Sequence, residues 1–171
     1  MSVLETDRLR LVRLAAEHAH FMLALLNDAD FLRNIGDRGV RTLAEAQRYI
    51  RRGPCASYRR HGFGLWLVER ACDGEALGIC GLLRRDTLAD VDLGFAFAAA
   101  HRRQGYALES ARGVMAYARG ALALGRVVAI VKPDNEASVK LLTRLGFAFE
   151  RMLPATDDKP SLCLYASPPR Q

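Results

Sequence analysis

The sequence lacks the features that mark membrane and secreted proteins. None of its 171 residues belongs to an apolar run approaching the roughly 18 residues that a membrane-spanning helix requires. The first residues, MSVLETDRLRL, lack the apolar core of a secretory signal peptide. These absences favour a cytoplasmic protein with no membrane partner.

Cysteine and histidine are scarce and scattered. The four cysteines, at positions 55, 72, 80 and 163, form neither a CxxC pair nor the close spacing of a disulfide framework. We therefore expect reduced thiols that are mostly buried. His18 and His20 are two residues apart in a predicted helix, which points them to different sides. No metal site is expected.

Charge is unbalanced but not concentrated. Lys and Arg total 25 against 19 Asp and Glu, a formal net charge of +6. The basic residues occur as separated pairs, such as Arg51-Arg52 and Arg84-Arg85, with acids between them, which disfavours a nucleic-acid partner. A mildly positive field also suits a small polyanion.

The remaining composition is that of an ordinary globular domain, with 50% hydrophobic and 26% charged residues. A chain of this length can bury one substantial core. Neither a linker nor a repeat divides it, so we predict a single domain over residues 1–171, present as a monomer or a homodimer.

Hydrophobic periodicity predicts seven strands and four helices, an α/β chain of the α+β type. A strand at 7–14 precedes helices at 15–28 and 43–58, the second opened by a capping box of Thr42 and Glu45. The remaining elements are strands FGLWLVER and ALGICGLLRR around an Asp73-Gly74 hairpin turn, strand 91–98, helix 106–121, strand VVAIV, helix 136–145 ended by Gly146, and strands 147–152 and 162–166.

Strand 91–98 has two unlike faces. Its odd-numbered residues are bulky and are predicted to be core. The other face carries Asp90 and Asp92 and is small from Gly94 onward. Small side chains allow a ligand to approach the backbone closely, so this face is predicted to leave room for one.

The segment HRRQGYALES follows this strand and begins a helix. Gly105 permits a sharp turn, after which the first helical amides have no intrahelical partners and face the positive end of the helix dipole. Arg102 and Arg103 add forked donors suited to phosphate oxygens. We predict a diphosphate site here. The alternative is a solvated basic turn, because neither GxxxxGK(S/T) nor GxGxxG occurs.

Two motifs resemble those of the GNAT acyl-coenzyme A N-acyltransferases. RRQGYA, residues 102–107, resembles the family signature (Q/R)xxGx(G/A), and NEASVKLLTRLGF, residues 135–147, resembles NxxSxxLxxxxGF. The opening LETDRLRLVRL is similar to the start of the branch that includes bacterial ribosomal-protein N-terminal acetylases. The resemblance implies a mixed, mostly antiparallel sheet of about six or seven strands, splayed at the cofactor cleft and flanked by about four helices.

The resemblance also implies acetyl-coenzyme A as co-substrate and assigns its contacts. In the family, the splayed strand pairs with the pantetheine arm and the following turn holds the pyrophosphate. The implied pantetheine partners are main-chain groups of Phe97, Ala98 and Ala99. The implied pyrophosphate partners are the amides of Arg102, Arg103, Gln104, Gly105, Tyr106 and Ala107. Asn135 matches a side chain near the pantetheine, although it also suits a helix N-cap, and the two roles are compatible.

Catalytic candidates come from the same segments. Amines are mostly protonated at neutral pH, so a general base is expected, and Asp92 is the candidate, with a pKa raised by its like-charged neighbour Asp90. The alternative is that both acids are solvent-facing. Ser138 matches a small polar position that reaches the thioester sulfur, or it is a structural serine. The family's acid tyrosine is replaced by Leu142, so Ser138 or water is expected to protonate the thiolate. Glu109 is interpreted as structural.

The leading hypothesis is therefore an N-acetyltransferase that moves an acetyl group from acetyl-coenzyme A to a primary amine by direct attack in a ternary complex. A protein N-terminus and a small-molecule amine are both candidate acceptors. Because Leu142 replaces the usual acid, the alternative hypothesis is a module that binds acyl-coenzyme A without turnover.

Overall fold

The computed structural model describes residues 1–169, and eight of its strands form one sheet in the order β1-β2-β3-β4-β5-β6-β8-β7. The pair β5 and β6 is parallel, and the other neighbouring pairs are antiparallel. The strands are β1 (Ser2–Glu5), β2 (Leu9–Arg13), β3 (Leu65–Arg70), β4 (Ala76–Leu83), β5 (Val91–Phe97), β6 (Val127–Val131), β7 (Ala148–Leu153) and β8 (Leu162–Ala166).

Within residues 1–169, six α-helices accompany the sheet. They are α1 (Ala19–Leu26), α2 (Ala29–Asn34), α3 (Leu43–Arg52), α4 (Pro54–His61), α5 (Tyr106–Arg119) and α6 (Glu136–Arg144). The first four lie between β2 and β3 in the chain. Over residues 1–169, no helix is both long enough and apolar enough to cross a bilayer.

The predicted fold class is confirmed, with one more strand and two more helices than the periodicity indicated. The additional strand β1 has only four residues and an irregular register against β2, too little for an alternating pattern to show. The helix predicted over 43–58 is divided at Gly53-Pro54, because proline has no amide hydrogen and is suited to the start of a new helix. Helix α2 was not predicted.

The start of α3 and the end of α6 agree with the capping signals in the sequence. The Thr42 hydroxyl accepts from the Glu45 amide at 3.2 Å, and the Glu45 carboxylate accepts from the Thr42 amide at 3.0 Å, which confirms the capping box. Gly146 has a φ of +84°. Its amide and the next one bond back to Thr143 and Leu142, each at 3.0 Å, in the double pattern that ends helices with a left-handed glycine.

Hydrophobic clusters occupy both faces of the sheet. One contains Trp66, Phe97 and Val114 and joins the sheet to α5 and α6. The other contains Met22 and Ile50 and joins it to α1 and α3. The bulky face of β5 belongs to the first cluster, as predicted.

The four cysteines are free thiols, as expected, but only half of them are buried. Cys80 and Cys163 lie in the core, Cys55 is half-buried and Cys72 is exposed. Burial raises the pKa of the Cys80 thiol to about 12, so this thiol is inert at neutral pH.

Candidate active site

Strands β5 and β6 begin as neighbours and then separate. They pair at Val91 with Val127 and at Asp92 with Val128, although β5 continues to Phe97 and β6 to Val131. The two strands therefore diverge beyond Asp92 and leave a V-shaped gap within the sheet. A splayed pair at this position is what the motif resemblance implied.

The main chain of β5 presents alternate residues to this gap. The Ala98 amide donates to the Leu77 carbonyl of β4 at 3.0 Å, and its carbonyl accepts from the His101 amide at 2.9 Å. In an antiparallel ladder, residues bonded to one neighbour alternate with residues that face away from it. The main-chain N–H and C=O groups of Phe95 and Phe97 consequently point away from β4 and towards the gap, while their side chains pack in the core. Both main-chain groups of Ala98 thus have protein partners, and its contact with a ligand stays a prediction. Phe95 is a candidate that the motif analysis missed.

Ala99 lies beyond the strand, in a single 3-10 turn over Ala99–His101. Its carbonyl accepts from the Arg102 amide at 3.4 Å. This turn carries the chain from the end of β5 into the glycine-containing loop. A contact between Ala99 and a ligand stays a prediction.

The small face of β5 is not open at Gly94. A Cβ atom added there would lie 2.9 Å from Leu83 Cδ1 and 3.3 Å from Leu65 Cδ2. The prediction that this position leaves room for a ligand is wrong, because leucines of β4 and of the next strand, β3, fill the space. A sequence reports the size of a residue and not that of its cross-strand neighbours.

The loop after β5 contains a run of backbone amides with no protein acceptor. Arg103 has a φ of 60° and Gly105 a φ of 82°, both left-handed. Among residues 1–169, none of the six amides of residues 103–108 donates to a protein atom, and the first bond of α5 runs from the Glu109 amide to the Gly105 carbonyl at 3.0 Å. Left-handed residues within a turn can bring successive amides to one side and form an anion-binding concavity. The positive end of the helix dipole adds to it.

The two arginines of this loop differ in their contacts. The Arg102 guanidinium donates to Asp28 Oδ1 at 2.5 Å, to Asp30 Oδ2 at 2.6 Å and to the Phe97 carbonyl at 3.0 Å. Protein acceptors therefore use three of its five N–H donors, and a contact between its side chain and phosphate oxygens stays a prediction. Arg103 is exposed and forms no ion pair within the described part of the chain, so its phosphate role stays a prediction.

Behind the loop, Glu109 and Arg8 hold its shape. The Glu109 carboxylate accepts from the Thr6 hydroxyl at 2.6 Å, the Arg8 amide at 2.9 Å and Arg8 Nε at 2.6 Å. Arg8 Nη1 donates to the Gln104 carbonyl at 3.0 Å, and its guanidinium lies 4.6 Å from the centre of the Tyr106 ring. Burial raises the pKa of Glu109, but the bonds from Thr6 and Arg8 outweigh it, so the pKa is lowered. Glu109 thus has the structural role expected of it.

Thr6 and Arg8 are site residues that the motif analysis missed. They lie about a hundred positions before Glu109 in the chain. The only indication was the opening LETDRLRLVRL, which was interpreted as a family resemblance and, from residue 7 onward, as a strand. Their contact with α5 follows from the packing of that helix against β1 and β2.

Replacing Glu109 by glutamine should lower the free energy of unfolding by about 2 kcal/mol, since three charge-assisted hydrogen bonds lose their anion. Chemical denaturation at neutral pH measures the difference, and the exposed Glu17→Gln is the matched control, expected to stay within about 0.5 kcal/mol of wild type. Because the pKa of Glu109 is lowered, its contribution is complete above the ordinary value of 4.5 and is lost as the pH falls through the lowered value. Equal stability of both variants at neutral pH would contradict the structural role of Glu109 behind the loop.

Helix α6 places two further candidates on the other arm of the gap. Asn135 Oδ1 accepts from the Ser138 amide at 3.3 Å, which confirms the N-cap reading of Asn135. Ser138 is half-buried. Leu142 is 1% exposed and belongs to the core between α5, α6 and the sheet. Contacts of Asn135 and Ser138 with a ligand stay predictions.

Asp90 and Asp92 are held by separate arginines. Asp92 is 1% exposed, and its oxygens lie 3.0 and 3.1 Å from Arg85 Nε. Asp90 accepts from Arg126 Nε at 3.0 Å. The predicted open-face position of Asp92 is wrong, because it is buried at the last paired position before the strands diverge. Burial raises the pKa of Asp92, Arg85 lowers it, and the net shift is upward. The raised pKa was expected, but burial causes it and not Asp90.

A mixed sheet with one splayed strand pair and an amide-lined turn defines an acetyltransferase architecture, and sequence comparison agrees with it. Residues 8–148 match the family model described as "Acetyltransferase (GNAT) domain". The uncharacterized N-acetyltransferase YoaA of Bacillus subtilis (strain 168) is 30% identical over 154 residues, which cover 88% of this chain and 85% of the relative. This chain belongs to the GNAT acetyltransferase family.

Solved structures share the fold. The ribosomal alpha-N-protein acetyltransferase RimL, in complex with coenzyme A, superposes with a TM-score of 0.82 at 17% identity, over 97% of both chains. The microcin self-immunity acetyltransferase MccE, in complex with acetyl-coenzyme A and AMP, superposes with a TM-score of 0.81 at 14% identity, over 95% of this chain and 93% of that one. At these identities the likeness concerns the fold alone.

Proposed function

We propose that this protein is an N-acetyltransferase that uses acetyl-coenzyme A to acetylate a primary amine. The observation that carries the proposal is the run of unbonded amides at residues 103–108, placed where the splayed strand β5 ends. Membership of the GNAT acetyltransferase family supports it. So do the two structural neighbours solved with coenzyme A and acetyl-coenzyme A.

The residues present fit the coenzyme. The amides of residues 103–107 and the exposed guanidinium of Arg103 would hold the pyrophosphate. The main chain of Phe95 faces the gap, where it would pair with the amides of the pantetheine arm as with an added strand. The Phe97 carbonyl accepts from Arg102, so Phe97 offers the ligand its amide. Asn135 and Ser138 lie at the start of α6, the helix that follows β6 in the chain. When bound, acetyl-coenzyme A supplies an acyl group activated as a thioester.

This chain's groups would then manage protons and charge. Asp92, whose pKa is raised by burial, accepts the proton of the amine through water, since its carboxylate is not exposed. The Phe97 amide donates to the carbonyl oxygen that gains negative charge, because the Ala98 amide is engaged with β4. A carbon–nitrogen bond forms, the carbon–sulfur bond breaks, and Ser138 or water returns a proton to the thiolate.

The acceptor is proposed as an amine class. One structural neighbour is named for acetylating a ribosomal protein alpha-amine, and the other holds AMP. A peptide alpha-amine and a small-molecule amine are therefore the two acceptor types to screen. Helices α1 to α4, which lie between β2 and β3 in the chain, are proposed to select between them.

A thiol-release assay tests the proposal. The pure protein is mixed with acetyl-coenzyme A and a panel of peptide and small-molecule amines, and free thiol is followed over time. We expect thiol release above the amine-free rate with at least one amine, and calorimetry of coenzyme A alone measures binding separately. Binding without thiol release across the panel would favour the alternative, a module that binds acyl-coenzyme A without turnover. That alternative rests on Leu142, which stands where the family often has an acid tyrosine.

A further inference from the structure

Helix α2 is held at each end by a different arm of the splayed strands. At its N-terminus, Asp28 and Asp30 bind Arg102, which follows β5 and also donates to the Phe97 carbonyl. At its C-terminus, the Arg33 carbonyl accepts from Lys132, the residue directly after β6. The helix therefore connects the end of β5 to the end of β6.

The length of α2 suits this position. The helix has six residues, which corresponds to about 9 Å along its axis. Two strands separated by the width of one missing strand lie about 10 Å apart. A helix of this length can thus reach across a gap that admits one extended chain.

Arg102 makes the connection on the β5 side with three different donors. Its planar fork contacts two carboxylates of α2 and one strand carbonyl at the same time, with its donors held in fixed directions. Asp28 is also the N-cap of α2, since its Oδ1 accepts from the Asp30 and Phe31 amides at 3.0 and 3.1 Å. Burial raises the pKa of Asp28, but the bonds from Arg102 and the Phe31 amide outweigh it and lower the pKa.

The helix is also anchored on the face opposite α5. Phe31 is buried in the cluster that contains Met22 and Ile50 of α1 and α3. Through α2, Arg102 therefore links the layer of α1 and α3 to the loop with the unbonded amides.

We propose that Arg102 is a positioning residue whose guanidinium fixes α2 across the open end of the splayed strands, so that the coenzyme loop and the layer of α1 and α3 keep one relative geometry. The proposal rests on the proposed function for the identity of the ligand in the gap. The tie between Arg102 and α2 can be tested without any ligand.

Hydrogen exchange of the α2 amides, followed by mass spectrometry, tests the tie in ligand-free protein. In Arg102→Gln, the amides of residues 32–34 should exchange at least about tenfold faster than in wild type, the factor expected from losing roughly one charged hydrogen bond. The double variant Asp28→Asn/Asp30→Asn keeps an N-cap and should show at least the same increase, since Asp30 also pairs with Arg33 of α2 at 2.6 Å. Combining both changes should add little. The amides of α5 report whether the fold is intact.

Coenzyme A is the probe for coupling between the loop and α2. Saturating coenzyme A should slow α2 exchange in wild type but not in Arg102→Gln, although calorimetry should give that variant an affinity within about threefold of wild type, since the loop amides are unchanged. The neighbouring Arg103→Gln is the matched control. It should weaken coenzyme A binding and leave α2 exchange as in wild type.

The outcomes separate the two proposals. Unchanged α2 exchange in ligand-free Arg102→Gln would overturn the positioning role, and so would equal slowing by coenzyme A in both proteins. A loss of coenzyme A affinity in Arg102→Gln as large as in Arg103→Gln would mean that the Arg102 side chain contacts the phosphates, and it would overturn the positioning role. Absence of coenzyme A binding by wild type would count against the proposed function and leave the ligand-free test standing.

Discussion

Replacing Gly105 by glutamate is expected to reduce the affinity for coenzyme A by at least about 100-fold, because a carboxylate about 4 Å from a phosphate costs several kcal/mol near a protein surface. Gly105 lies between the amides of residues 103 and 108, none of which has a protein acceptor in the described chain. Calorimetry with coenzyme A measures the affinity. Wild-type affinity in this variant would mean that the loop is not the phosphate site.

A neutral substitution at the same position separates charge from backbone strain. Gly105 has a φ of 82°, a conformation that asparagine tolerates better than other residues with a side chain. A Cβ atom there would lie 3.2 Å from Arg8 Nη2, so this side chain has to shift by a few tenths of an ångström. Gly105→Asn should therefore cost about 1 kcal/mol of stability and less than tenfold in affinity. An equal loss in both variants would assign the effect to loop distortion.

Replacing Asp92 by asparagine is expected to lower kcat by about 100-fold or more, as removal of a general base does, with coenzyme A affinity unchanged. Unfolding should not explain the loss. The pKa of Asp92 is raised in the folded protein, so its ionisation opposes folding, and stability is lost as the pH rises through that pKa. Asparagine carries no charge and avoids this cost. If kcat of Asp92→Asn equals that of wild type across the pH range, Asp92 is not the general base and only pairs with Arg85.

Arg85→Gln tests the same assignment through the pH profile. The Arg85 guanidinium lowers the pKa of Asp92 against the effect of burial. Without it the pKa rises further, and a base must be deprotonated to act. The acidic limb of kcat/KM should therefore move to higher pH in Arg85→Gln and vanish in Asp92→Asn. A limb that stays in place in Arg85→Gln would indicate a different base.

The elements that sequence analysis predicted well are those encoded by neighbouring residues. Thr42 and Glu45 are three positions apart and form the predicted capping box. Gly146 ends α6 through hydrogen bonds that its own amide and the next one make to carbonyls at most five residues earlier, so the signal is local. The reading of Asn135 as an N-cap was correct for the same reason. The six-residue α2 was missed, since so short an element contains less than two turns of hydrophobic pattern.

By itself, the sequence determined the order of most elements, the junction at Gly105 and the family resemblance, because dihedral preferences, periodicity and motif spacing act within a few residues. Only the tertiary structure decided which partners the polar side chains of this junction have. Arg102 binds acids more than 70 positions away, Glu109 binds Thr6 and Arg8 about a hundred positions away, and Asp92 is buried against Arg85. Those partners depend on how the sheet and helices pack in three dimensions, and no local pattern of residues records that packing.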